Sequence, residues 1–122
     1  MTAPTTVCDV RRSTALSELA DLAAGLIETN ADLRDRVVLM MLLPVESRLT
    51  ISLSPSEASL RDLAEWAQRY GGVILGITRR RVGSGESYRE CSVRFPLNGC
   101  TVDVSAHLAL CADGARIVAD CP

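Results

Sequence analysis

The sequence predicts a two-layer α+β domain: two helices packed on one face of a mostly antiparallel sheet, in the order αββαβββ, with a final strand if a last turn is used. Three observations predict it. Two stretches repeat apolar residues at helical spacing, Arg48 to Leu53 alternates apolar and polar residues, and Asn98-Gly99 is the strongest short hairpin signal a sequence offers. A chain of 122 residues makes one domain. It can bury roughly two thirds of the surface its unfolded form exposes, without needing a disulfide or a metal.

Residues 1–12 lack periodicity and contain Pro4, which reads as a loose N-terminal arm preceding a single α+β domain over 13–122. Ser13 or Thr14 then caps a helix carrying Leu16, Leu19, Ala20, Ala23, Leu26 and Ile27 on one face. Thr29-Asn30 reads as its exit or as a local break. Val37 to Leu43 is a continuous apolar run, a buried strand or the end of a second helix; Val37-Val38 and the turn-like Pro44 to Ser47 favour strand. Arg48 to Leu53 places Leu49, Ile51 and Leu53 on one face of a half-buried strand.

Ser54-Pro55-Ser56-Glu57 has the residues of a helix start, and the helix runs to about Tyr70 before Gly71-Gly72. Leu60, Leu63, Ala64, Ala67 and Tyr70 form its expected buried stripe. Trp66 lies about 100° from the stripe centre, where it braces the first helix or meets a partner.

The second half is a register problem. A two-residue Asn98-Gly99 turn pairs Phe95 with Val102, Val93 with Val104 and Cys91 with Ala106. The opposite face then pairs Arg94 with Asp103, Ser92 with Ser105 and Glu90 with His107, which are complementary partners. A three-residue Gly83-Ser84-Gly85 loop pairs Ile77 with Cys91, Leu75 with Val93 and Val73 with Phe95, setting all these apolar side chains under the helices. Asp113-Gly114 offers a third turn, with Leu110 opposite Ile117 and Leu108 opposite Ala119.

Chemistry is sparse on this grid. The five cysteines include no CxxC pair, and Cys100 lies about 20 Å along its strand from the position opposite Cys91, too far for a bridge. Free thiols in a reducing compartment are expected. His107, the one histidine, sits on the outer face between Glu90 and, across the last strand, Asp120. These three can be drawn as a metal site, or with Ser92 and Ser105 as a hydrolase-like set. Flat sheet without a pocket or oxyanion donors makes a solvated charge network the better reading. No catalytic residue, metal or cofactor is expected.

All thirteen basic residues are arginine, against fifteen acids. The slight negative net charge gives no general attraction to nucleic acid or anionic membrane. Only residues 76–96 are basic, with five arginines against two acids. Arg80 is expected beside Tyr88 on the outer face, with Arg79, Arg81 and Arg89 on the helix side. This arginine-rich tip, with Trp66, is the candidate partner surface: for an acidic protein, for phosphates in a nucleic-acid groove, or as a solubilising sheet end. A second copy of the chain is a further candidate partner. The leading residues lack positive charge and no apolar run approaches the ~18 residues of a membrane span, so the expectation is a cytoplasmic protein without a membrane partner.

Leu16-x-x-Leu-Ala-Asp-Leu22 with Asn30-Ala-Asp-Leu33, then Ser59 to Gly72, then Val93-Arg-Phe95 and Val102-Asp-Val104, resemble small uncharacterised proteins of actinobacteria and their phages. Ala31 stands where that group often has Pro. The resemblance covers about residues 14 to 107 and implies a mobile-element or phage setting, with no assigned activity or site residues. Together these readings lead to a non-enzymatic binding or adaptor protein acting through a protein partner, with nucleic-acid binding by the 79–89 hairpin as the alternative.

Overall fold

The computed structural model describes the backbone of residues 3–56 and 58–109, and the side chains of 16–56 and 58–109. The Asp113-Gly114 turn, its strand and Asp120 lie outside the described residues.

Helix α1 spans Ala3–Thr29, beginning well before Ser13. Pro4 falls in its first turn, where a missing N–H removes no helical bond. Leu19, Ala23 and Leu26 form its buried stripe, whereas Leu16 and Ala20 are exposed. A short 3₁₀ turn, Arg34–Arg36, leads into β1, Val37–Leu43, so the ambiguous apolar run is a strand. A second 3₁₀ turn, Pro44–Glu46, and Ser47 in left-handed backbone reverse the chain into β2, Arg48–Leu53, which buries Leu49, Ile51 and Leu53 as its alternation requires.

Helix α2 spans Ser59–Tyr70 and starts about one turn later than Ser54-Pro55 suggested. The serines there close a turn instead. Ser59 Oγ donates to the Ser54 carbonyl at 3.1 Å and accepts from the Ser56 N–H at 2.9 Å. Local hydroxyl bonds of this kind compete with the first helical turn. The buried stripe of α2 is also rotated from the expected one: Leu63 and Trp66 are fully buried, while Ala64 is exposed. A tryptophan has far more apolar area to remove from water than an alanine, and it sets the face.

Strands β3 (Ile74–Arg80), β4 (Ser87–Leu97) and β5 (Cys100–Ala109) complete a five-stranded sheet in the order β1-β2-β5-β4-β3. β2 and β5 pair in parallel; the other pairs are antiparallel. β3 is not a neighbour of β2, since β5 and β4 lie between them. Asn98 and Gly99 both have positive φ, and the β4–β5 register is the one the turn dictates, with Phe95 opposite Val102, Val93 opposite Val104 and Glu90 opposite His107. α1 packs on β1 and β2 and α2 on β4 and β5, over a core of Leu49, Ile51, Val93, Phe95, Val102 and Val104. The architecture is α+β in two layers, with both helices on one sheet face.

The β3 register differs from the expected one by a single residue. Ile74 opposes Val93, Gly76 opposes Cys91 and Arg79 opposes Tyr88. The connection is a four-residue loop, residues 82–85, closed by Arg81 N–H donating to the Glu86 carbonyl at 2.8 Å and Gly85 N–H donating to the Arg81 carbonyl at 3.0 Å. One more loop residue slides the strand by one, and with a side-chain period of two every β3 side chain changes face. Gly72 fixes the entry to the strand: its φ is +126°, and a Cβ there would sit 2.9 Å from the Arg94 carbonyl oxygen.

Candidate functional site at the open edge of the sheet

The shifted register redraws the arginine tip. Arg79, not Arg80, stands opposite Tyr88, and its Nε lies 2.7 Å from Glu90 Oε2. The Arg81 guanidinium carbon lies 5.3 Å from the centre of the Tyr88 ring, a cation–π distance. The Tyr88 ring packs against His107 at 5.1 Å between centroids, and His107 Nε2 is 4.0 Å from Glu90 Oε1. Arg79, Arg81, Tyr88, Glu90 and His107 therefore make one outer-face cluster. Arg80 and Arg89 fall on the helix side, where the Arg89 stem crosses Gly76 at a distance a side chain there would obstruct.

The contacts within this cluster are ionic and aromatic. Arg79 holds one oxygen of Glu90, and no hydrogen bond joins His107 to Ser52, Ser92 or Ser105 among the described residues. A hollow of about 210 Å³ beside His107 is lined by Val38, Ser52 and Ser105 as well, but it presents no paired acid and base. Among the described residues no group of three His, Cys, Asp or Glu side chains is placed to hold a metal. Cys91 is buried, which pushes its thiol pKa up despite the opposing pull of Arg89, and it behaves as a small core residue. Trp66, a candidate contact from the sequence, is fully buried and has no surface to offer.

The apolar side chains moved by the register define the larger feature. Val73, Leu75 and Ile77 are 72%, 63% and 56% exposed, in a row along the outer face of the edge strand. Every residue of β3 is exposed, and Val38, Leu39 and Met41 are exposed on the opposite edge. Hydrogen-bond alternation gives β3 a further property. The two-residue turn makes Leu97 and Cys100 a bonded pair, so even-numbered residues of β4 bond toward β3. Their partners on β3 are odd-numbered, in phase with the Arg81–Glu86 bond. Ile74, Gly76, Thr78 and Arg80 consequently direct their N–H and C=O groups out of the sheet, where β3 has no second neighbour among the described strands.

A second feature missed at sequence level lies at the exit of α1. Asn30 is buried; its amide donates to the Leu26 carbonyl at 2.9 Å and to Tyr70 Oη at 2.6 Å. Arg69 donates to Asn30 Oδ1 at 2.9 Å and grips both oxygens of Asp32 at 2.9 and 2.6 Å. The hydrogen bonds from Arg69 hold the Asp32 carboxyl below the usual carboxylate range. The Tyr70 ring stacks on Phe95, which ties this hub to the core. Beside it runs an open groove of about 660 Å³ lined by Glu18, Asp21, Leu22, Leu26, Tyr70 and Cys100, among others.

Comparison with known protein families, curated proteins and solved structures found no match for this chain. No described helix is long and apolar enough to cross a membrane.

Proposed function

We propose that the chain is a non-enzymatic binding module, a small adaptor of a bacterial or phage system that acts through a protein partner held at the β3 edge. The observation that carries this reading is the apolar row Val73, Leu75 and Ile77, exposed on a strand whose outward backbone groups meet no second strand among the described residues. Natural edge strands are normally blunted by charge, proline or a bulge. From Gly72 to Thr78 this one carries none of these. Adding a partner's extended strand would satisfy the backbone groups and cover the row together, which is how strand-addition domains gain affinity.

Nucleic-acid binding by the hairpin tip is the second reading, favoured by Arg79, Arg81 and Tyr88 sharing one face. The Arg79–Glu90 pair weakens it by neutralising one of those charges. Affinity capture from a bacterial lysate tests both, using the wild type, Leu75→Lys and an Arg79/Arg80/Arg81→Glu variant, with and without nuclease. The expected result is a protein, untagged copies of the chain added to the lysate included, retained after nuclease and lost with Leu75→Lys. Retention abolished by nuclease and by the arginine reversal would favour the second reading, and capture unaffected by Leu75→Lys would overturn the first.

A further inference from the structure

Resting on the reading of β3 as a binding edge, we infer that its partner is a second copy of the same chain, joined by antiparallel β3–β3 pairing about a two-fold axis at Gly76. The strand is complementary to itself in that arrangement. Gly76 meets Gly76, Ile74 meets Thr78 in both directions, and each is a pair whose N–H and C=O groups face outward. On the outer face Leu75 opposes Ile77 twice, so the four most central exposed apolar side chains cover one another. Val73 then lies beside the aliphatic stem of Arg79, and Arg80 beside Gly72, where the partner offers no side chain to collide with.

Charge favours antiparallel over parallel pairing of two copies. Parallel pairing would stack Arg79, Arg80 and Arg81 of one copy against those of the other. The antiparallel register places the two Arg80 positions roughly eight residues apart along the strands, about 27 Å. That separation exceeds two Debye lengths at physiological salt. The opposite edge explains why association stops at two. β1 carries an irregularity between Val37 and Leu39, a bulge that spoils it as a template, so among the described strands joining β3 to β3 consumes the one regular open edge. The product is a single continuous sheet running through both copies.

The experiment is sedimentation equilibrium combined with amide hydrogen exchange on the full chain, comparing wild type, Thr78→Pro and Ile77→Lys. Thr78 N–H points away from β4, so proline at this edge position removes a donor between copies and leaves the β3–β4 ladder intact. Two-fold symmetry uses that donor twice, and its loss should weaken dimerisation by about tenfold or more. Ile77→Lys, at a solvent-facing position of the monomer, should weaken it as well. Wild type should be a dimer with concentration-dependent protection of the Ile74, Gly76 and Thr78 amides. A wild type that is monomeric throughout the micromolar range, or a dimer that Thr78→Pro leaves unchanged, would overturn the inference. A monomer that still captures a different protein, with capture lost in Thr78→Pro, would overturn self-pairing while sustaining strand addition. Loss of neither association nor capture in any variant would remove both.

Discussion

Asn30 shows how much one residue at a helix exit can hold. Its side chain is buried and uses its amide and its carbonyl together, linking the last turn of α1 to Tyr70 and Arg69 of α2. Asn30→Ala removes all three bonds and leaves the half-buried Tyr70 hydroxyl without that partner, while the Leu26 carbonyl keeps the backbone N–H of residue 30 and Arg69 keeps Asp32. A loss of about 1–3 kcal/mol is expected, measured by urea unfolding. The neighbouring Asp32 adds a pH signature. Its pKa is lower folded than unfolded, so its contribution is present above the ordinary carboxylate value and fades as pH falls through the folded one. The stability gap between wild type and Asp32→Asn should be widest near neutrality and close below about pH 4. A gap that persists in acid would show that the Arg69 pairing is not its source. None of this was legible from the sequence, where Asn30 signalled only a helix exit; its partners lie about forty residues away, and side-chain bonds between distant residues leave no periodicity.

At the scale of elements, legibility followed the strength of the local constraint. The Asn98-Gly99 turn admits one loop length, and both faces of β4 and β5 have matched partners, so that register followed directly. The Gly83-Ser84-Gly85 loop admits three or four residues. The apolar pattern of β3 favoured three, on the premise that helices cover it. They cover little of it: α2 sits mainly on β4 and β5 and only touches β3, whose residues all stay exposed, so the burial that would penalise a slip is missing at the edge. The orientation of α2 departs from the apolar count for a related reason, since counting apolar positions equally gives Ala64 the weight of Trp66. If Trp66 sets that face, Trp66→Ala should cost about 3–5 kcal/mol, against little for Ala64→Ser at an exposed position. Because Trp66 is the chain's one tryptophan, wild-type fluorescence should also be blue-shifted when folded and move red in one transition with urea. A cost for Trp66→Ala near that of Ala64→Ser would contradict the packing.

For the whole molecule, the two sheet faces divide the work. One is covered by helices except along β3; the other carries serines and ion pairs at its centre, with apolar side chains toward both edges. Fifteen acids against thirteen arginines leave no net attraction to polyanions, so nucleic-acid binding would have to rest on the hairpin tip alone. The register splits that tip: Arg79 and Arg81 lie on one face and Arg80 and Arg89 on the other, with Arg79 already paired to Glu90. A groove or phosphate backbone engaging one face would neutralise few charges, and the salt slope of binding scales with that number. Wild type should therefore pass through an immobilised double-stranded DNA column at physiological salt, and the Arg79/Arg80/Arg81→Glu variant should elute with it. Strong retention that declines steeply with salt and disappears in that variant would instead mean that the tip gathers its arginines on a polyanion, and would move the functional surface from the apolar length of β3 to its end.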